Sequence, residues 1–225
     1  MLTIGHRGAC GYEPENTLLS FSRALQLHVD VIELDVHVCR SGEIVVIHDE
    51  KVDRTTNGRG YVRDKVLDEL KTLDAGNGER IPTLQEVLDL VDSKAKVNIE
   101  LKGAGTAQPV FRLIEKYVKE CGWSCSDFLI SSFNQDELQE FKKLSNEYRI
   151  GVLVRDVSTG FIEFAEKVGA YSVNVCIDAI SKNLVDDAHR RGMRVFVWTA
   201  DSTEDIRRMK CIGVDGIASD YPDRL

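Results

Sequence analysis

The sequence predicts a (β/α)8 TIM barrel of the α/β class, one domain over residues 1–225 with a small insertion at about 50–82. Three observations lead there. Eight short β-rich runs recur along the chain. Helix-patterned stretches, with apolar residues three and four apart, lie between them. The same alternation would suit a doubly wound open sheet, but no Gly-x-Gly-x-x-Gly follows the first run, which weakens a nucleotide-binding fold.

Taken in order, the strand runs are LTIGH (2–6), VIELDV (31–36), KVNIELK (96–102), FLISSF (128–133), RIGVLV (149–154), YSVNVC (171–176), RVFVWT (194–199) and DGIASD (215–220). The helical stretches cover 16–27, 83–91, 107–120, 135–144, 159–168, 181–191 and 203–212. Ser181, Thr203 and either Asp127 or Asn134 are the expected N-caps. Gly192 and Gly213 fit helix C-termini. One run breaks the alternation. EIVVIHDE (43–50) follows VIELDV too closely for a parallel crossover, so it reads as the return arm of a hairpin turning at Ser41-Gly42. A turn symmetric about that pair makes facing positions sum to 83 and sets Asp35 opposite His48, about 5 Å apart at Cβ. Residues 50–82 are polar, rich in turn signals, and read as a cover over one end of the barrel.

Composition narrows the function. A chain of 225 residues that is 43% hydrophobic buries a large core without staples. A net charge of -8 argues against a general nucleic-acid binder. No apolar run approaches the roughly 18 residues a membrane span needs. The six cysteines are scattered and form no disulfide framework. With no basic-then-apolar leader, the expected location is the cytoplasm.

The chemistry gathers at strand ends, where barrels place their active sites. Glu33 and Asp35 alternate along one strand and share its inward face, while Ile32, Leu34 and Val36 face the helices. Asn98, Glu100 and Lys102 repeat the pattern. Three carboxylates from adjacent strands make an all-oxygen nest for one hard divalent cation, Mg2+ or Ca2+. The alternative is an internal salt bridge of Glu100 with Lys102 or Arg7. His6 and His48 fall at strand ends beside Arg7 and Lys102, a set suited to cleaving a phosphate ester. The cations offset phosphoryl charge, one imidazole takes a proton, and the other gives one. His37 shares the parity of Glu33 and can line the site. Phe133 and Trp198 can flank a substrate's carbon part or simply fill the barrel. Asp220 is placed as a partner for Arg7 or Lys102.

Ten motifs, HRG (6–8), PENT (14–17), IELDV (32–36), SGEIVVIHDE (41–50), DRTTNGRG (53–60), IPTLQEVL (81–88), NIELK (98–102), ISSF (130–133), VWTAD (197–201) and DGIASDYP (215–222), run in one order over almost the whole chain. Together they resemble the glycerophosphodiester phosphodiesterase family. The resemblance implies a barrel of the phosphoinositide phospholipase C-like phosphodiesterase type and metal-dependent hydrolysis of glycerophosphodiesters to glycerol 3-phosphate and an alcohol. It implies His6 and His48 as the acid/base pair, Arg7 and Lys102 on phosphate, Glu33, Asp35 and Glu100 on the metal, and Glu15 close by. A lysophospholipase D-type activity on the same scaffold would ask for an apolar entrance, which the polar segment 50–82 does not offer. A phosphate-binding module without catalysis would not need both histidines. A metal-dependent aldolase would not need the His6-Arg7 pair. The chain stops soon after the last strand run, so the last barrel helix is expected to be absent or very short.

Overall fold

The computed structural model describes residues 1–157 and 160–225. Eight parallel strands close into a barrel: β1 (Leu2–Gly5), β2 (Val31–Val38), β4 (Lys96–Leu101), β5 (Phe128–Ser132), β6 (Arg149–Val154), β7 (Ser172–Cys176), β8 (Arg194–Trp198) and β9 (Gly216–Ser219). Closure comes from β1, whose Leu2–Gly5 pair with Gly216–Ser219 on one side while Ile4 and Gly5 pair with Val31 and Ile32 on the other. This rules out the open doubly wound sheet.

Helices α1 (Leu18–Gln26), α3 (Leu84–Val91), α4 (Ala107–Glu120), α5 (Gln135–Leu144), α6 (Phe161–Val168), α7 (Lys182–Arg190) and α8 (Thr203–Ile212) ring the barrel. Their starts follow local capping chemistry. Thr83 accepts from the Glu86 N–H while the Glu86 carboxylate returns to the Thr83 N–H. Asn134 and Ser181 cap α5 and α7. At α8 the cap is Ser202 rather than Thr203, because Ser202 Oγ takes the Asp205 N–H and Thr203 is already helical. The stretch expected at 159–168 begins with Thr159, which lies outside the described residues; helix is described from Phe161. After β9 the described residues form one 3-10 turn, Pro222–Arg224. Pro222 is buried, Leu225 packs against the main core, and Tyr12 meets Tyr221 edge-on at 5.2 Å, so this turn covers that flank.

The layering follows strand parity. Ile32, Leu34 and Val36 of β2, and Val97, Ile99 and Leu101 of β4, join the apolar core shared with the helices. Glu33, Asp35, Asn98 and Glu100 take the other face and are buried inside the barrel.

The return arm is β3 (Ile44–Val46), antiparallel to β2 and outside the barrel. Its register differs from the symmetric turn by one residue. Val36 pairs with Val46 and His37 with Val45, so facing numbers sum to 82 and Asp35 lies opposite Ile47, whose N–H donates to the Asp35 carbonyl at 2.9 Å. The loop has three residues, Arg40-Ser41-Gly42, closed by Cys39 and Glu43, with Gly42 at φ +101° supplying the left-handed step such loops need. Alternation along this arm splits two cores. Ile44 and Val46 enter the main core, whereas Val45 and Ile47 join Cys39, Val52, Val62, Leu70, Ala75 and Ile81 in a smaller one. That small core holds the segment 50–82, which carries a bridge between Lys51 and Tyr61 and helix α2 (Leu67–Thr72).

Candidate active site

The strand β1 ends in His6-Arg7-Gly8, and the chain turns sharply there. Arg7 has φ +52° and Gly8 φ +88°. A Cβ at Gly8 would stand 2.7 Å from the Ser20 backbone carbon, so only glycine lets the loop lie against α1. The turn aims the Arg7 N–H at Glu33 Oε2 (2.9 Å) and its guanidinium at Glu15 Oε1 (2.8 Å) and Asp35 Oδ2 (3.4 Å). The Arg7 atom nearest Asp35 is Nε, which is buried and close enough for an ion pair but makes no hydrogen bond.

PENT serves this site residue by residue. Glu15 takes Arg7. Asn16 donates to Asp35 Oδ2 at 2.8 Å and accepts the Asp35 N–H at 3.3 Å. Thr17 caps α1 through the Ser20 N–H.

The register of β2 on β4 sets Glu33 beside Asn98 and Asp35 beside Glu100. Oxygens of Glu33, Asp35 and Glu100 all lie within 4.8 Å of one another. Burial, then the nearby Asp35 charge, pushes Glu33 up to about 7 and Glu100 up to about 8. Burial opposes ionisation of Asp35 too, but Arg7, Lys102, His48 and Asn16 outweigh it and hold its carboxyl below the usual aspartate value. Three buried carboxylates in mutual repulsion fit a hard cation, and all the donors are oxygen. Lys102 Nζ already lies 2.8 Å from Glu100 and 3.6 Å from Asp35. The internal salt bridge considered for Glu100 is therefore present, within the same cluster that could hold a metal ion.

His6 and His48 both reach the cluster. Each has Nδ1 held by a carboxylate at 2.6 Å, Asp220 for His6 and Asp49 for His48. Asp220 thus partners His6 rather than Arg7 or Lys102, because β9 runs beside β1 and ends level with it. His48 Nε2 lies 3.0 Å from Lys102 Nζ. The shifted hairpin register does not prevent this, since His48 lies beyond the last paired residue of β3. His37 Nε2 lies 3.2 Å from the His48 carbonyl and supports that backbone. Burial lowers the affinity of His6 for a proton, but the Asp220 hydrogen bond and the Glu33 charge outweigh it and raise its pKa above the usual value. His48 is lowered, with burial foremost and Arg7 and Lys102 adding to it against Asp35 and Asp49.

One pocket is lined by His6, Arg7, Glu33, His48 and Glu100 and, at its mouth, by Phe133 and Trp198, whose rings meet edge-on at 5.7 Å. Trp198 is fixed by its Nε1–H donating to the Asn174 carbonyl (3.0 Å). Sequence reasoning passed over Asp49 and Arg54. Arg54 bonds Glu15 through Nη1 (2.7 Å) and Nη2 (2.8 Å), and Asp49 through Nε (2.8 Å). It links the two carboxylates that orient Arg7 and His48. Both residues sit inside quoted motifs, HDE and DRTT, which was the available signal.

A closed parallel barrel with two carboxylate-anchored imidazoles, two cations and an oxygen nest at the C-terminal strand ends defines the class of barrels equipped for phosphate-ester chemistry. Comparison with known proteins narrows that class. The family model described as the glycerophosphoryl diester phosphodiesterase family matches residues 6–224, and the chain belongs to that family. The glycerophosphodiester phosphodiesterase of Caldanaerobacter subterraneus subsp. tengcongensis is 42% identical over 100% of this chain and 96% of its own length. That of Bacillus altitudinis is 36% identical over 98% of this chain and 95% of its own. An Oleispira antarctica phosphodiesterase, solved in complex with the product sn-glycerol-3-phosphate, superimposes with a TM-score of 0.91 at 29% identity, covering 100% of this chain and 94% of that one.

Proposed function

We propose that the chain hydrolyses glycerophosphodiesters to sn-glycerol 3-phosphate and an alcohol, with Glu33, Asp35 and Glu100 holding one Mg2+ or Ca2+. The observation that carries this reading is the pair of imidazoles, each anchored at Nδ1 by a carboxylate, converging with Arg7 and Lys102 on one acidic nest. Anchoring at Nδ1 fixes each ring and turns Nε2 toward the site for proton transfer, where that of His48 is met by Lys102 Nζ at 3.0 Å. One imidazole takes the proton of the attacking oxygen. The other delivers a proton to the alcohol oxygen as its bond to phosphorus breaks. Arg7 and Lys102 neutralise charge on the phosphoryl oxygens, and Phe133 and Trp198 flank the carbon part of the substrate. A bound divalent cation supplies further counter-charge to the phosphoryl group.

A water-soluble diester is favoured over a lysophospholipid. Among the described residues the exposed large hydrophobics are Met1, Tyr12, Leu19, Phe133 and Val157, and of these only Phe133 lines the pocket. No helix of the described residues is long and apolar enough to cross a membrane. We place the protein in the cytoplasm on its six free thiols, a placement that cell fractionation tests.

The deciding experiment is a panel of glycerophosphodiesters assayed for glycerol 3-phosphate with and without chelator. Release that stops on chelation and returns with Mg2+ or Ca2+ is the expected result. Undiminished release from exhaustively chelated, metal-free protein would remove the cation from the reading, and no release from any diester would sink the activity. A deoxy analogue lacking the neighbouring glycerol hydroxyl separates two attacking groups. If that hydroxyl attacks first, the analogue is not cleaved; equal cleavage identifies water as the nucleophile.

A further inference from the structure

Arg155 follows the last residue of β6, at the same end of the barrel as Phe133 after β5 and Trp198 at the end of β8. All three line the pocket. The Arg155 guanidinium carbon lies 5.8 Å from the Phe133 ring centre and 5.5 Å from that of Trp198. Lys102 Nζ lies 5.6 Å from the Phe133 ring centre. Cations within about 6 Å of a ring are drawn to its face. The two aromatic rings at the mouth are thus already engaged by the protein's own cations. Arg155 is exposed, and among the described residues it has no carboxylate partner.

We propose that Arg155 forms a head-group subsite that selects glycerophosphodiesters whose alcohol part carries an anion of its own; this rests on the proposed diester hydrolysis. A quaternary ammonium head is recognised elsewhere by open aromatic faces. Here it would have to displace a guanidinium from those faces and then sit beside it as a like charge. An anionic head meets instead a planar fork of donors held in place by two rings, without first breaking an ion pair. Arg7 and Lys102 stand against Asp35 and Glu100 and so weaken the opposing field of the acidic nest.

The test compares three probes that share the glycerophosphoryl end: glycerophosphocholine, glycerophosphoglycerol, and bis(glycerophospho)glycerol, whose head bears a second, anionic phosphodiester. After correction for the two equivalent ends of the last, kcat/KM should fall in the order anionic, neutral, cationic. The outer two should differ roughly five- to tenfold at low salt, the size of one screened charge contact, and less at high salt. Arg155→Gln should bring the ratio close to one, mainly through KM, and Arg155→Glu should reverse it. Binding of each intact diester, followed by tryptophan fluorescence, should give the same order in Kd and judges the subsite even if no diester is cleaved. Wild-type protein that treats the choline ester as well as the anionic one, or a ratio unmoved in Arg155→Gln, overturns the proposal.

Discussion

His6 and His48 are tethered alike, yet their surroundings drive them apart: the carboxylates around His6 lift its pKa, and burial with Arg7 and Lys102 depresses that of His48. His6→Ala and His48→Ala should each lower turnover by at least ~10²-fold with smaller changes in binding, since acid–base contributions are commonly that large. Near wild-type turnover in either variant would take that histidine out of the mechanism. Asp220→Asn assigns the roles. The Asp220 hydrogen bond raises His6, so its loss must move the His6 limb of the pH–rate profile to lower pH. If His6 is the base, the acid limb moves outward; if it is the acid, the alkaline limb retreats. A profile with both limbs unmoved would contradict the coupling. At this scale the sequence was legible for side chains that strand parity or strand ends mark: Glu33, Asp35, Glu100, His6 and His48. For Asp49 and Arg54 it offered only their place in the motifs HDE and DRTT, because their contacts join a loop to PENT and no periodicity encodes them.

The pairing of β2 with β4 places buried carboxylates side by side, and this has a cost that belongs to the strand pair. Glu33 and Glu100 hold protons more tightly folded than unfolded, with values raised from 4.5 to about 7 and about 8. The folded protein therefore binds more protons than the unfolded chain between those values and 4.5. Metal-free stability is then greatest below about pH 4.5 in this contribution and falls as pH rises toward 8, by an amount on the order of a few kcal/mol. A bound hard cation should abolish the decline, and Glu33→Gln or Glu100→Gln should flatten it while weakening the metal. Thermal melts across this pH range, with and without Mg2+ or Ca2+, check it; metal-free melts that do not change with pH would show that the nest carries no such charge strain. Parity fixes which face a side chain takes, so the nest could be read without coordinates. The hairpin register could not, because Ser41-Gly42 and Arg40-Ser41-Gly42 are both plausible turns, and only the backbone at Gly42 decides between them.

At the scale of the molecule the alternation of strand and helix sufficed for a barrel, whereas its closure depended on the contact of β1 with β9, at opposite ends of the chain. The segment 50–82 is the part least determined by alternation. It could be an appendage or an integral piece, and its small core argues for the second. Val45 and Ile47 belong to the arm that delivers His48, and they pack with Leu70 and Ile81 of the segment that delivers Arg54. Leu70 is fully buried in that core. We expect the whole chain to unfold as one cooperative unit and Leu70→Ala to lower its stability by ~2–5 kcal/mol, the usual cost of such a truncation. Turnover of the still-folded variant should fall as well, because loosening the small core releases Arg54 from Glu15 and Asp49 and with it the orientation of Arg7 and His48. Calorimetry and initial rates on the same samples decide the matter. Two separate transitions, or a destabilised variant with undiminished turnover, would show that residues 50–82 fold apart from the barrel and that Arg54 does not set the active site.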